Sequence, residues 1–243
     1  MLHGGGEFMP GDEATIGAIL DLAAERVDGT RPIRVAVVPT AAGRGRPGLA
    51  ATHGVDAVRR VADDRGLDVL AEAVMVTDAA SAADDELAKR LASADVIYLP
   101  GGDPDLIPSL LTESSAATAI TTAHAGGAVL AGASAGAMAM GSWTWTPNGG
   151  QPGLGLIDHL TVMPHADAGT WRRSIERFGV MAPDDLGLLG IGERTAVVVE
   201  ADRPWRVVGE GEARWLEPGT TDVEATRVIH SGETLERGTS GPP

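Results

Sequence analysis

The chain has 243 residues, is 43% hydrophobic, and carries a net charge of −15 at neutral pH with a pI near 4.7. This length and apolar content can bury a substantial core in one α/β domain, whereas the acidic balance gives no electrostatic footprint for nucleic acid or an anionic membrane. Cysteine is absent, which excludes disulfides, thiolate metal sites and a thiol nucleophile; no apolar run reaches the ~18 residues of a membrane span and the start, MLHGGGEFMPGDE, lacks a basic-then-apolar signal, so a soluble, cytoplasmic protein is expected.

In chain order, helical periodicity over Ala14 to Val27 is followed by an apolar strand from Ile33 to Pro39 (IRVAVVP). Helices over Gly54 to Arg65, Ser81 to Leu91 and Ala116 to His124 then alternate with strands over Val69 to Val76, Val96 to Pro100 and Val129 to Ala131. Alternation of this kind predicts right-handed crossovers and a parallel sheet covered on both faces. Chemistry in such sheets gathers at the C-terminal ends of the strands. The unusual loops sit there: Thr40-Ala41-Ala42-Gly43, Gly101-Gly102-Asp103 and the glycine-flanked Ser134.

Beyond Gly141 the texture changes. Trp143 to Gly155 (WTWTPNGGQPGLG) reads as a loop lying over the site, and Gly169 to Phe178 as a short helix. Ala196 to Glu200, Trp205 to Val208 and Ala213 to Leu216 read as late strands, the last two joined by a glycine turn into a hairpin. Residues 1–236 form a single domain in this reading, and residues 237–243, within RGTSGPP, a disordered tail.

The run GGAVLAGASAGAMAMG, residues 126 to 141, ends a strand in Gly132-Ala133-Ser134-Ala135-Gly136 and turns at once into a helix, the layout of a nucleophile elbow. Glycine abounds in this chain, so the pattern alone is weak, and its plain reading is a tight turn whose serine caps a helix. An elbow serine becomes a nucleophile only with a base, an orienting acid and an oxyanion hole. His165, in VMPHAD after an apolar stretch, is the candidate base. His53, His124 and His159 lie in or beside helices and turns, where solvated or capping roles are the default. Asp158, Asp167 and Glu193 are the candidate acids. Glu193, in a turn feeding a strand, is preferred, because Asp167 lies too close in sequence to reach the ring from behind. The oxyanion donors would be the N–H groups of Ala135 and of a residue in the Gly101-Gly102 loop.

Together GGGE, AVVPTAAG, VIYLPGGDP, GAVLAGASAGAMAMG, PGLGL, PHAD and GIGERTAVVVE, spread over roughly residues 3 to 215, resemble the peptidase S51 family, which includes aspartyl dipeptidase (peptidase E) and cyanophycinase. The resemblance implies a class I glutamine-amidotransferase-like (flavodoxin-like) α/β fold, a three-layer sandwich with a mainly parallel sheet and a late β-hairpin, in which serine replaces cysteine. It places Ser134 as nucleophile, His165 as the family histidine, Gly102 and Ala135 as the oxyanion hole, and Glu193 on a family glutamate. The chain departs from the family at Met163-Pro164-His165-Ala166, where cyanophycinases carry Asp-Gln-His-Phe. It departs again after the nucleophile, where the dipeptidase branch has an Asp and this chain has Asn148 and Gln151. Only Met1, Leu2 and His3 precede GGGE, so the family's first strand is either shortened or begins upstream.

The expected function is a serine peptidase of dipeptidase type with an Asp-X preference, acting on small peptides without cofactor or metal. Gly101, Asp103, Arg173 and Arg177 are candidate substrate-binding residues, the arginines spaced i, i+4 on one helix to take a carboxylate. A cyanophycinase-like peptidase, a catalytically silent binding module, and an α/β-hydrolase esterase using His3-Gly4-Gly5-Gly6 with Asp202 and His230 are the competing readings. No nucleic-acid or membrane partner is expected; a homodimer is compatible with the chain, though no face points to one.

Overall fold

Val35 and Val37 point to one side of their strand and Ala36 and Val38 to the other, and each pair enters a different hydrophobic core. That alternation of buried faces organises the computed structural model, which describes residues 1–27, 29–201 and 203–236. The expected tail and Asp202 lie outside the described residues.

The first half runs Leu2–His3 (β1), Glu13–Ala24 (α1), Ile33–Val37 (β2), Pro47–Arg65 (α2), Val69–Ala73 (β3), Ala79–Ala82 (α3), Asp85–Ala92 (α4), Val96–Leu99 (β4), Leu106–Leu111 (α5), Ser115–Ala125 (α6), Val129–Ala133 (β5) and Ala135–Met140 (α7). The second half adds Gly141–Thr146 (β6), Gly149–Pro152 (β7), Ile157–Met163 (β8), Ala168–Phe178 (α8), Gly187–Ile191 (β9), Thr195–Val198 (β10), Trp205–Gly209 (β11), Glu212–Leu216 (β12), Arg227–His230 (β13) and Thr234–Leu235 (β14).

An eight-stranded sheet has the order β14-β11-β10-β1-β5-β4-β2-β3. Its strands from β1 through β3 pair in parallel, and β10, β11 and β14 join antiparallel. Ile16, Ile19 and Leu20 of α1 with Val55 and Val58 of α2 cover one face. The other face is covered by Leu91, Ile107 and Ile120 from α4, α5 and α6. This is the expected α/β layering.

The same face also meets a second sheet, ordered β13-β12-β9-β8-β6-β7, through Leu160, Val162, Leu189, Ile191 and Trp215. It was not expected as a sheet. Its hairpin β6–β7 replaces the loop expected over Trp143 to Gly155, and pairs Trp143 with Pro152 and Trp145 with Gly150. Gly150 is needed there, since a Cβ would lie inside the Trp143 ring. The expected hairpin between Trp205 to Val208 and Ala213 to Leu216 does not form: β11 pairs with β10 and β14, whereas β12 crosses to pair with β9 and β13. The two apolar strands thereby line different sheets.

Helix boundaries moved for local reasons. The expected helix over Ser81 to Leu91 is two, because Asp78 accepts from the Ser81 N–H to start one and Asp84 accepts from Glu86 and Leu87 N–H to start the next. β1 occupies the centre of the sheet between β5 and β10, although only two residues long. Among the described residues no helix is long and apolar enough to cross a membrane.

Candidate active site

Ser134 occupies the turn between β5 and α7 with φ 48° and ψ −113°. A non-glycine residue held there is strained, and the surroundings hold it: the Ser134 N–H donates to the His3 carbonyl, and the Met138 N–H donates to the Ser134 carbonyl. The flanking glycines are required by close approach. A Cβ at Gly132 would lie 2.5 Å from the Gly136 backbone, and one at Gly136 would lie 2.0 Å from the Leu99 carbonyl oxygen. The elbow is thus wedged against β4, with Ser134 projecting from its apex.

The Ser134 Oγ lies 3.0 Å from His165 Nε2, and His165 Nδ1 lies 3.0 Å from Glu193 Oε1. His165 follows β8 and has φ 54°; its N–H donates to the Gly4 carbonyl at 2.8 Å, and the Ala166 N–H donates to Ile191 of β9 at 3.0 Å. Glu193 precedes β10, where the Arg194 N–H donates to the Gly5 carbonyl at 2.8 Å. The segment Gly4-Gly5 therefore clamps the histidine and glutamate turns side by side. The pair is open to solvent, with side chains 46% and 58% exposed, so its worth lies in orienting the ring rather than in burying a charge.

Of the three candidate acids, Glu193 meets the histidine. Asp167 caps α8, accepting from Thr170 N–H at 2.8 Å. That bond and the Thr170 hydroxyl hold its carboxyl below the ordinary range, so it stays an ionised cap. Asp158 lines a different cavity with Arg26, His124 and Arg203. The other histidines have other partners: His124 Nδ1 is 3.0 Å from the Ala128 carbonyl oxygen, and His159 faces Asp185. His159 lies in strand β8 rather than in a turn. His230 pairs with Glu212 in the second sheet, so the histidine of the esterase reading does not meet Ser134.

Gly102 has φ 150°, and a Cβ there would lie 2.3 Å from the Ala41 carbonyl oxygen. The Asp103 N–H donates to that same oxygen at 2.7 Å, fixing the loop. The Gly102 and Ala135 N–H groups have no acceptor among the described residues. The Gly101 N–H, by contrast, donates to Glu7 Oε1 at 2.7 Å and is committed. Gly101 gives room instead, since a Cβ there would lie 3.0 Å from Ser134 Cβ.

Asp103 is committed as well, accepting from Arg44 at 2.6 Å and from Asp105 N–H at 3.0 Å. The two arginines part company. Arg177 lines a cavity of about 780 Å³ with Met138, Trp145, Met163, Pro164 and Met181, whereas Arg173 is exposed beside Thr170 and is not part of that lining. The cavity adjoins the site through Met138, one turn beyond Ser134, and Pro164, next to His165. Asn148, at the tip of β6–β7, donates to Asp105 Oδ2 at 3.0 Å and ties the hairpin to the glycine loop. Sequence reasoning missed Glu7 and Arg44; the GGGE motif was the available signal for the first. Among the described residues no group of three or more His, Asp or Glu side chains is arranged to hold a metal ion.

A strained elbow serine in line with a histidine and a glutamate, on an α/β sheet, defines the serine-hydrolase class of site. The model of peptidase family S51 matches residues 1–205, and the chain belongs to that family. Cyanophycinases of Synechococcus elongatus and of Thermosynechococcus vestitus are each 30% identical over 179 residues, covering 68% of this chain and 53% of theirs; the chain thus spans about half the length of these curated relatives. The crystal structure of a peptidase from an acI-B1 Actinobacterium superposes with a TM-score of 0.75 at 24% identity, covering 97% of this chain and 95% of that one. A putative peptidase E protein from Listeria monocytogenes EGD-e gives a TM-score of 0.55 at 18% identity, covering 82% and 95%. These two structures share the fold.

Proposed function

We propose that the chain is a serine peptidase that hydrolyses small peptides, with a dipeptidase-like preference for Asp-X. The alignment of Ser134, His165 and Glu193 at 3.0 Å steps carries this reading. Glu193 would hold a proton on His165 Nδ1, leaving Nε2 free to accept the Ser134 proton as Oγ attacks the peptide carbonyl. The tetrahedral oxyanion would be held by the Gly102 and Ala135 N–H groups, and the imidazolium would return its proton to the leaving amine. Water then hydrolyses the acyl-enzyme by the same proton path. Apart from the peptide and water, every group in this sequence belongs to the chain itself.

The Asp-X preference is supported by Arg177, a cation on the cavity beside His165 that would meet the aspartyl side chain. Cyanophycinase activity is the second reading, favoured by the 30% identity to the two curated relatives. The test is intact mass after a fluorophosphonate probe on wild type, Ser134→Ala and His165→Ala, followed by turnover of Asp-X dipeptides and of cyanophycin. Labelling of wild type alone with Asp-X turnover is the expected result. Absence of labelling together with absence of turnover would leave a catalytically silent binding module.

A further inference from the structure

We propose that Glu7 is the specificity-determining residue that anchors the substrate's free α-ammonium group, the side chain by which the site tells a free N-terminus from a blocked one. This rests on the reading of Ser134 as nucleophile.

The glycine run places Glu7 there. Gly5 and Gly6 have φ of 116° and 74°, which let the chain pass beneath the histidine and glutamate turns. A Cβ at Gly6 would lie 3.6 Å from Glu193 Oε2, so the loop skirts the acid before reaching Glu7. Phe8, next in line, packs its ring 5.0 Å from Tyr98 of β4 and fixes the exit of the loop. Glu7 is half-buried, and its Oε1 accepts the Gly101 N–H at 2.7 Å. Its Oε2 has no partner among the described residues, and no cation pairs with it there. A half-buried carboxylate with one oxygen anchored and one open is suited to a cationic ligand.

The distance admits the α-ammonium of the residue that is cleaved off. A Cβ at Gly101 would lie 2.8 Å from Glu7 Oε1 and 3.5 Å from Ser134 Oγ, which bounds the two oxygens to about 6 Å of each other. In a peptide whose first residue is cleaved off, the ammonium nitrogen is two covalent bonds, about 2.5 Å, from the scissile carbonyl carbon. That carbon sits about 3 to 3.5 Å from the attacking oxygen in a reactive pose. The span from Ser134 to Glu7 therefore accommodates the ammonium of the residue carrying the scissile carbonyl. A chain continuing past that residue would set a neutral amide and its carbonyl oxygen against the carboxylate. Glu7 thus separates free N-termini from blocked or internal ones, while Arg177 would take the side chain of the same residue.

The experiment compares aspartyl p-nitroanilide with its N-acetyl counterpart on wild type and Glu7→Gln, with fluorophosphonate labelling of Ser134 in parallel. Glutamine keeps an amide oxygen for the Gly101 N–H and removes only the charge, and each variant is read as its own ratio between the two substrates, so a change in general reactivity cancels. Wild type should favour the free amine by at least about 100-fold, and Glu7→Gln should lose most of that ratio. Equal cleavage of both substrates by wild type, or an undiminished ratio in Glu7→Gln, overturns the proposal. Labelled Ser134 with neither substrate cleaved also overturns it and leaves the nucleophile standing; failure of both labelling and cleavage removes the two together.

Discussion

Gly5 lies against the imidazole of His165 so closely that a Cβ added there would stand 2.2 Å from His165 Cε1. The glycine is therefore part of the site's geometry, and its φ of 116° independently disfavours any side chain. Gly5→Ala should push the ring out of line with Ser134 while leaving the two cores intact. A displacement of about 1 Å costs on the order of 100-fold in rate, so probe labelling of Ser134 should slow by at least that factor with the far-UV circular dichroism unchanged. Labelling at the wild-type rate would show that the ring does not depend on this contact.

Glu193 is the acid most open to test. Glu193→Gln removes the charge that orients His165 Nδ1–H and should lower kcat by roughly 10²- to 10⁴-fold. The lower end is expected, because the exposed pair lets water take over part of the role. Asp167→Asn, altering the cap of α8 rather than the relay, should leave kcat within a few-fold. Equal losses in the two variants would argue against Glu193 as the third member.

The elbow was legible because its demands are local. Gly132 and Gly136 are needed by backbone contacts within one turn and one neighbouring strand, so the spacing carries the geometry. His165 and Glu193 were legible as candidates, since each ends or begins an apolar run, but their meeting depends on Gly4 and Gly5 bridging two strands. The second sheet was harder. GSWTWT alternates at period 2, yet Pro147, Asn148 and the glycines beyond it made the segment look like a loop. GLLGI in β9 is short and glycine-bearing, and only the Trp215 and Trp171 rings, which fill the space above Gly187 and Gly190, explain its composition. Whether β11 and β12 pair is a tertiary decision that a glycine turn between them cannot announce.

Arg177 and Arg173 should separate on substitution, although they share a helix. Arg177 lines the apolar cavity beside Pro164 and Arg173 does not. If Arg177 takes the aspartyl carboxylate, Arg177→Ala should lower kcat/KM for Asp-X about 10-fold or more, with little change for Asn-X. Arg173→Ala should leave both within a factor of two. Steady-state kinetics on the matched dipeptides decides it, and parallel losses for Asp-X and Asn-X would mean that Arg177 shapes the cavity instead of reading charge.

His3 and Asp12 form a second, fully buried pair behind the glycine run, 2.7 Å apart with both side chains 1% exposed. The Gly5 N–H donates to His3 Nδ1 at 3.1 Å, so Nε2 carries the proton given to Asp12. Phe8 N–H and the Thr15 hydroxyl also donate to that carboxylate. His3→Leu would remove one donor to the buried Asp12 carboxyl and leave the Gly5 N–H without its acceptor, a loss of about 2 to 4 kcal/mol. Urea unfolding should show it as a lower midpoint at unchanged slope.

Asp95 offers a test of stability far from the chemistry. It accepts two bonds from Arg31, at 2.7 and 2.8 Å, and one from Arg34 N–H at 2.8 Å. Burial pushes its pKa up, but these bonds outweigh burial and hold the carboxyl below the ordinary range. A carboxylate depressed by folding contributes stability that is fully present above its unfolded pKa, about 3.9, and is lost as the pH falls through the lower folded value. Asp95→Asn should therefore cost about 1 kcal/mol at pH 7, discounted because Arg31 is half exposed, and lower Tm by about 2 to 4 °C for a chain of this size. The gap between wild type and variant should narrow below about pH 4. Thermal melts from pH 7 down to pH 3 read this directly, and a gap that held constant across that range would mean that the ionised form of Asp95 gains nothing from folding.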